Sequence, residues 1–112
     1  ALEACEAAIK PGRPMGEVFA AHAQVFDKAG LGHARLNACG YAMGAIYNPI
    51  WVDFPMFYEN NPTVMRESQV FFLHMILMDS DAGLAMCLGH SVEVTAHGAK
   101  RLSRHAPDLF EL

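Results

Sequence analysis

No stretch of this chain approaches the ~20 consecutive apolar residues that cross a bilayer. No basic segment stands ahead of an apolar one at the N-terminus, so neither a membrane partner nor a secretory leader is expected. Charge is scarce as well: 18% of the 112 residues are Asp, Glu, Lys or Arg, and the net charge is -4 with histidine neutral. A surface of that sign has no general attraction for nucleic acid or anionic lipid. Lys100, Arg101 and Arg104 make the one basic cluster, and it reads as a solvated strand end. Cysteine is sparse, with Cys5, Cys39 and Cys87 far apart, odd in number and without metal-type spacing. They read as free buried thiols of a cytoplasmic protein. A Gly-x-Ser-x-Gly elbow, a phosphate loop and a dinucleotide glycine pattern are all missing, which removes the common serine-hydrolase and nucleotide-binding signatures.

What is present is apolar. Hydrophobic residues make up 53% of the chain, enough for one small globular domain with a modest core. Ala1 to Ile9 is rich in Ala and Glu and favours helix, until Lys10-Pro11-Gly12-Arg13-Pro14 stops it. Gly16 to Ala29 carries Val18, Phe19, His22, Val25 and Phe26 on one face of a second helix, which Gly30 and Gly32 end. His22 on that face reads as a packed core residue rather than a ligand.

Leu36 to Tyr47 alternates small and apolar residues and suits a strand whose glycines, Gly40 and Gly44, let backbone come close. Asn48 to Val64, with three prolines, is predicted as a long loop exposing Trp51, Phe54, Phe57 and Tyr58. Val70 to Met78 reads as a buried strand and Asp79 to Gly83 as a polar turn. Leu84 to Thr95 returns as a second strand, with a bulge expected at Gly89, and Ala99 to Ser103 is a short last strand. The methionines, among them Met65, Met75, Met78 and Met86, read as core filler. Two helices ahead of a curved antiparallel sheet make an α+β layout.

Several segments carry a family resemblance. Ala7-Ala8-Ile9-Lys10-Pro11-Gly12 followed by Gly16-Glu17-Val18 resembles the paired-helix segment of the pita-bread enzymes, the aminopeptidase P, Xaa-Pro dipeptidase and creatinase superfamily. Gly40-Tyr41-Ala42-Met43-Gly44 stands where that family has Gly-His-x-x-Gly, and Val70 to His74 where it has a strand ending in glutamate. Val92 to Ala99 is similar to its closing strand and turn. Within the superfamily, Phe71 to Met86 together with Leu102 to Leu109 looks closest to the branch with dimethylsulfoniopropionate lyase and the creatinase- or ectoine-hydrolase-like proteins. The resemblance implies that the chain is the C-terminal half of a pita-bread domain, one partial domain over residues 1–112, with more chain upstream.

The departures matter more than the matches. Metal-dependent members hold two divalent ions through two aspartates, a histidine and two glutamates. Here the aspartate positions fall upstream of residue 1, Tyr41 stands at the histidine, His74 at the first glutamate, and the second falls at or beside Gly89-His90. No metal or other cofactor is therefore expected. Tyr41, His74 and His90 are the candidate catalytic groups, a phenol donor and two imidazoles suited to proton transfer. Trp51, Phe54 and Tyr58 are the candidate substrate-binding residues, able to cover a small zwitterionic or cationic molecule. A Cys-His nucleophile pair, Cys39 or Cys87 near His74, stays open, although the apolar flanks argue against a lowered thiol pKa.

Three functions follow: a creatinase-like hydrolase or lyase on a small-molecule substrate; a non-catalytic remnant that pairs with itself, with a partner or with a missing N-terminal half; and a metallopeptidase with altered ligands.

Overall fold

The α1 helix forms because its alanines and glutamates carry no helix breaker, and it stops where Pro11 follows. It runs Leu2–Ala8, and helix α2 runs Gly16–Lys28. The second helix closes as the Gly30 signal predicts, the Leu31 N–H bonding the Phe26 carbonyl at 2.8 Å and the Gly30 N–H that of Asp27 at 3.1 Å. This computed structural model describes residues 1–44, 46–106 and 108, and Pro107 and Leu109 of the resembling tail lie outside them. Among the described residues no helix is long and apolar enough to cross a membrane.

Five strands follow: β1 (Ala38–Ala42), β2 (Asp53–Tyr58), β3 (Val70–Asp79), β4 (Leu84–Thr95) and β5 (Gly98–Arg101). They form one antiparallel sheet in the order β2-β1-β3-β4-β5. The helices lie on one face of it, so the expected α+β layout of two helices on an antiparallel sheet holds.

Alternation along β3 sets the two faces. Phe71, Leu73 and Met75 are buried under the helices, with Leu2, Cys5, Ile9, Met15, Val18 and Phe19 packed on them. Phe72, His74, Ile76 and Met78 point the other way, toward a face that carries no helix, here called the open face. The β3–β4 ladder runs unbroken from Val70↔Glu93 to Asp79↔Leu84. Its four-residue loop is held by the Asp79 carboxylate, which accepts from the Ala82 N–H at 3.0 Å and is kept below the usual carboxylate range mainly by that bond.

Several expectations are corrected. Asp53–Tyr58 is a strand rather than loop, because it lies at the sheet edge, where Pro55 removes no needed donor. Phe57 is fully buried, packed 4.7 Å from Phe71, not exposed. The bulge lies in β1: Ala38 pairs with Tyr58 and Tyr41 with Met56, so Cys39 and Gly40 together oppose Phe57. A Cβ on Gly40 would come 2.5 Å from the Phe72 carbonyl oxygen and 2.9 Å from the Phe57 ring, which is the close approach expected of that glycine.

Gly89 makes no bulge and pairs in register with His74. Met65 and Met75 are core, whereas Met78 and Met86, near the hairpin tip beyond the helices, are more than half exposed. Cys5 and Cys39 are buried, and their mutual hydrogen bond and burial push the Cys39 thiol upward. Cys87 is exposed on the open face.

Candidate functional site

The register decides which candidates meet. Tyr41 pairs with Phe72 and His74 with Gly89, and partners across an antiparallel ladder share a face. Tyr41 and His74 therefore stand together on the open face, their rings edge-on with centroids 6.2 Å apart. Phe72 packs against both, 5.6 Å from the Tyr41 ring and 5.1 Å from the imidazole. Trp51, from the segment joining β1 to β2, donates its indole N–H to the Tyr41 hydroxyl oxygen at 3.3 Å. That bond uses an acceptor site and leaves the phenol's own proton free to donate. Tyr41 is nearly buried beneath Trp51 and Phe72, while Trp51 is largely exposed.

His90 does not join them. It pairs with Leu73, whose side chain is buried under the helices, so its ring points to the helix side. There its Nε2 lies against Glu6 without hydrogen-bond alignment. Glu6 in turn takes two bonds from the Arg101 guanidinium, at 2.9 and 2.8 Å, and these hold its carboxyl below the ordinary carboxylate range. This cluster ties α1 to β4 and β5, and the ladder's alternation sets His90 apart from the other two candidate catalytic groups, Tyr41 and His74. Of Gly89 and His90, Gly89 is the one that shares the open face with His74.

The aromatic candidates also separate. Phe54 and Tyr58 sit at opposite ends of β2, with Asp53 pairing to Ala42 and Tyr58 to Ala38. Four residues of extended chain part them, ~13 Å. Both are exposed, whereas Trp51 is hydrogen-bonded to Tyr41.

One neighbour follows only from the ladder. Cys87 lies two residues from Gly89 on the same face, and its Sγ is 2.9 Å from His74 Nε2. Sequence alone placed Cys87 near His74 as one of two options; the pairing His74↔Gly89 selects it over Cys39, which faces the helices.

A pair of divalent ions does not fit these residues. Among the described residues no three His, Cys, Asp or Glu side chains converge. On the open face the ligand-type groups beside Tyr41 are one imidazole and one thiol. The Phe72 ring fills the space in front of Gly89: a Cβ there would meet the Phe72 Cζ at 2.7 Å. A carboxylate side chain at 89 has no room without moving that ring. An apolar groove of about 290 Å³ between Leu2, Phe26, Met75, Leu77, Met86 and Leu88 lies on the helix side, away from Tyr41 and His74.

Comparison with known proteins points one way. The sequence model of metallopeptidase family M24 matches residues 1–96. Among solved structures, an X-Pro aminopeptidase from Thermotoga maritima superposes with a TM-score of 0.84 at 15% identity, over 96% of this chain and 29% of that one. A prolidase from Pyrococcus horikoshii gives 0.80 at 22% identity, over 96% and 30%. A Xaa-Pro dipeptidase from Bacillus anthracis gives 0.82 at 15%, over 99% and 31%. At these identities the likeness shows a shared fold, the pita-bread fold, and the chain spans about 30% of the length of those proteins. No curated protein sequence matches.

Proposed function

Because the chain belongs to metallopeptidase family M24, we propose that it is part of a hydrolase or lyase of that fold that works on a small molecule by proton transfer rather than through a pair of metal ions. The observation that carries this reading is the grouping of Tyr41, Trp51 and His74 on one face, with Tyr41 and His74 standing at positions where the resemblance implies metal ligands. His74 Nε2 accepts and returns a proton, and the Tyr41 hydroxyl, its oxygen held by Trp51, donates to an oxygen of the bound molecule. The exposed indole of Trp51 offers a π-face to a cationic or zwitterionic substrate. A creatinase-like branch, a cytoplasmic location and association with a second copy or with the rest of the domain belong to the same proposal.

The test uses the full protein, stripped with a chelator and assayed for metal by mass spectrometry, then screened with Xaa-Pro dipeptides and small guanidino and sulfonium acids. Turnover that survives chelation and falls roughly 10²-fold in both Tyr41→Phe and His74→Gln supports the reading. Turnover restored only by manganese, cobalt or zinc, or unchanged in both variants, overturns it.

A second reading, a non-catalytic module that binds a partner, is favoured by the exposed Met78, Leu84 and Met86 at the hairpin tip. It gains if no substrate turns over while Met86→Lys abolishes a dimer seen by light scattering.

A further inference from the structure

We infer that Cys87 and His74 form a nucleophile–base pair that takes the acyl group of a small ester or thioester as a covalent thioester on Cys87. Two observations meet at this point. The His74 Nε2 lies 2.9 Å from the Cys87 Sγ, within reach for direct transfer of the thiol proton. The thiol is exposed on the open face, so an electrophile from solvent can reach it, whereas Cys5 and Cys39 are buried in the core. The backbone holds this contact in place: His74 and Cys87 project to one face from neighbouring strands of an uninterrupted ladder.

The step balances without an oxidant, a reductant or a metal. Cys87 gives its proton to His74 Nε2 as the sulfur lone pair forms the C–S bond and the carbonyl π pair moves to oxygen. Collapse of the tetrahedral adduct re-forms the carbonyl and expels the alcohol or thiol, which takes the proton from His74. Water then attacks the thioester carbon and loses a proton to His74. The acid departs, and the thiolate regains that proton.

The inference shares His74 with the function proposed above but needs neither that substrate nor Tyr41 turnover, so the two fail separately. The test exposes the full protein to p-nitrophenyl acetate, follows nitrophenolate release and locates the acetyl group by peptide mass spectrometry. The expected result is one acetyl group on Cys87, acquired about 10²-fold faster than in His74→Gln. It should also form faster than in the same chain unfolded in guanidinium, a comparator that needs no variant. Cys87→Ser should lose the adduct. Equal rates in wild type and His74→Gln, no advantage over the unfolded chain, or acetylation elsewhere with Cys87 untouched would each overturn the inference. If chelation abolishes turnover of the small substrates while Cys87 acylation persists, the function proposed above falls and the thiol pair stands.

Discussion

His22 gives the sharpest quantitative test of how this core is built. It sits on the buried face of α2 with no solvent exposure, between Phe19 and Phe26 at centroid distances of 5.5 and 4.9 Å. Neither ring nitrogen has a hydrogen-bond partner among the described residues. Burial, helped by the nearby Arg35 cation, pushes its pKa down from 6.5 to about 4. In the unfolded chain the ring titrates near 6.5, so between pH 6.5 and 4 the unfolded state binds a proton that the folded state refuses. Stability from this group is therefore complete above pH 6.5 and drains away as pH falls toward 4.

The fall from 6.5 to about 4 is worth roughly 3 kcal/mol at most. Urea unfolding followed by far-ultraviolet circular dichroism, at steps from pH 7.5 to 4, should show that loss in the wild-type chain. His22→Leu removes the titration and the two unsatisfied nitrogens together. It should be more stable at pH 7.5 by ~1–3 kcal/mol, and its stability should decline less over the same range, the two curves diverging by about 3 kcal/mol at the acid end. Parallel curves for the two proteins, or a variant less stable at neutral pH, would refute a buried, neutral, unpartnered imidazole at this position.

Further outcomes follow from the packing. Phe57→Ala empties the site opposite the β1 bulge and should cost ~3–5 kcal/mol in urea unfolding; a loss under ~1 kcal/mol would mean β2 is not docked. Arg101→Ala removes both bonds to the partly buried Glu6 and should lower the urea midpoint at pH 7. Because Arg101 holds the Glu6 pKa below 4.5, the stability it adds is present above 4.5 and lost as pH falls through the lowered value; the variant should lose that acid-sensitive part. Gly89→Ala should lower the melting temperature, since the added carbon would meet the Leu73 carbonyl oxygen at 2.5 Å and Phe72 at 2.7 Å, an overpacking cost of ~1–3 kcal/mol. An unchanged melting point would show that Phe72 can swing aside.

Much of the fold could be read from local chemistry. The proline-glycine break after α1, the helix-closing Gly30 and the Asp79–Gly83 turn each specify their geometry within a few residues, and each occurs where expected. Strand β2 was hidden because its proline argues against a strand everywhere except at an edge, and edge position is a property of the assembled sheet. The bulge at Cys39-Gly40 depends on how β2 pairs with β1, which no single strand encodes. The site was legible as a set of residue types and not as a grouping. Tyr41 and His74 fall on one face and His90 on the other because of the pairing His74↔Gly89, and shifting that register by one residue would exchange the faces. The same pairing brings Cys87 to His74, two residues whose separation of 13 in sequence carries no spacing signal.

The two outermost ribbons of the sheet have a consequence for self-association. One carries Pro55 and skips register between Tyr41 and Ala42, and the other is four residues long. Such rims give an approaching copy few consecutive amide groups to zip onto, so fibril-type growth finds no template there. Heat-damaged material should therefore collapse into amorphous particles rather than ordered filaments.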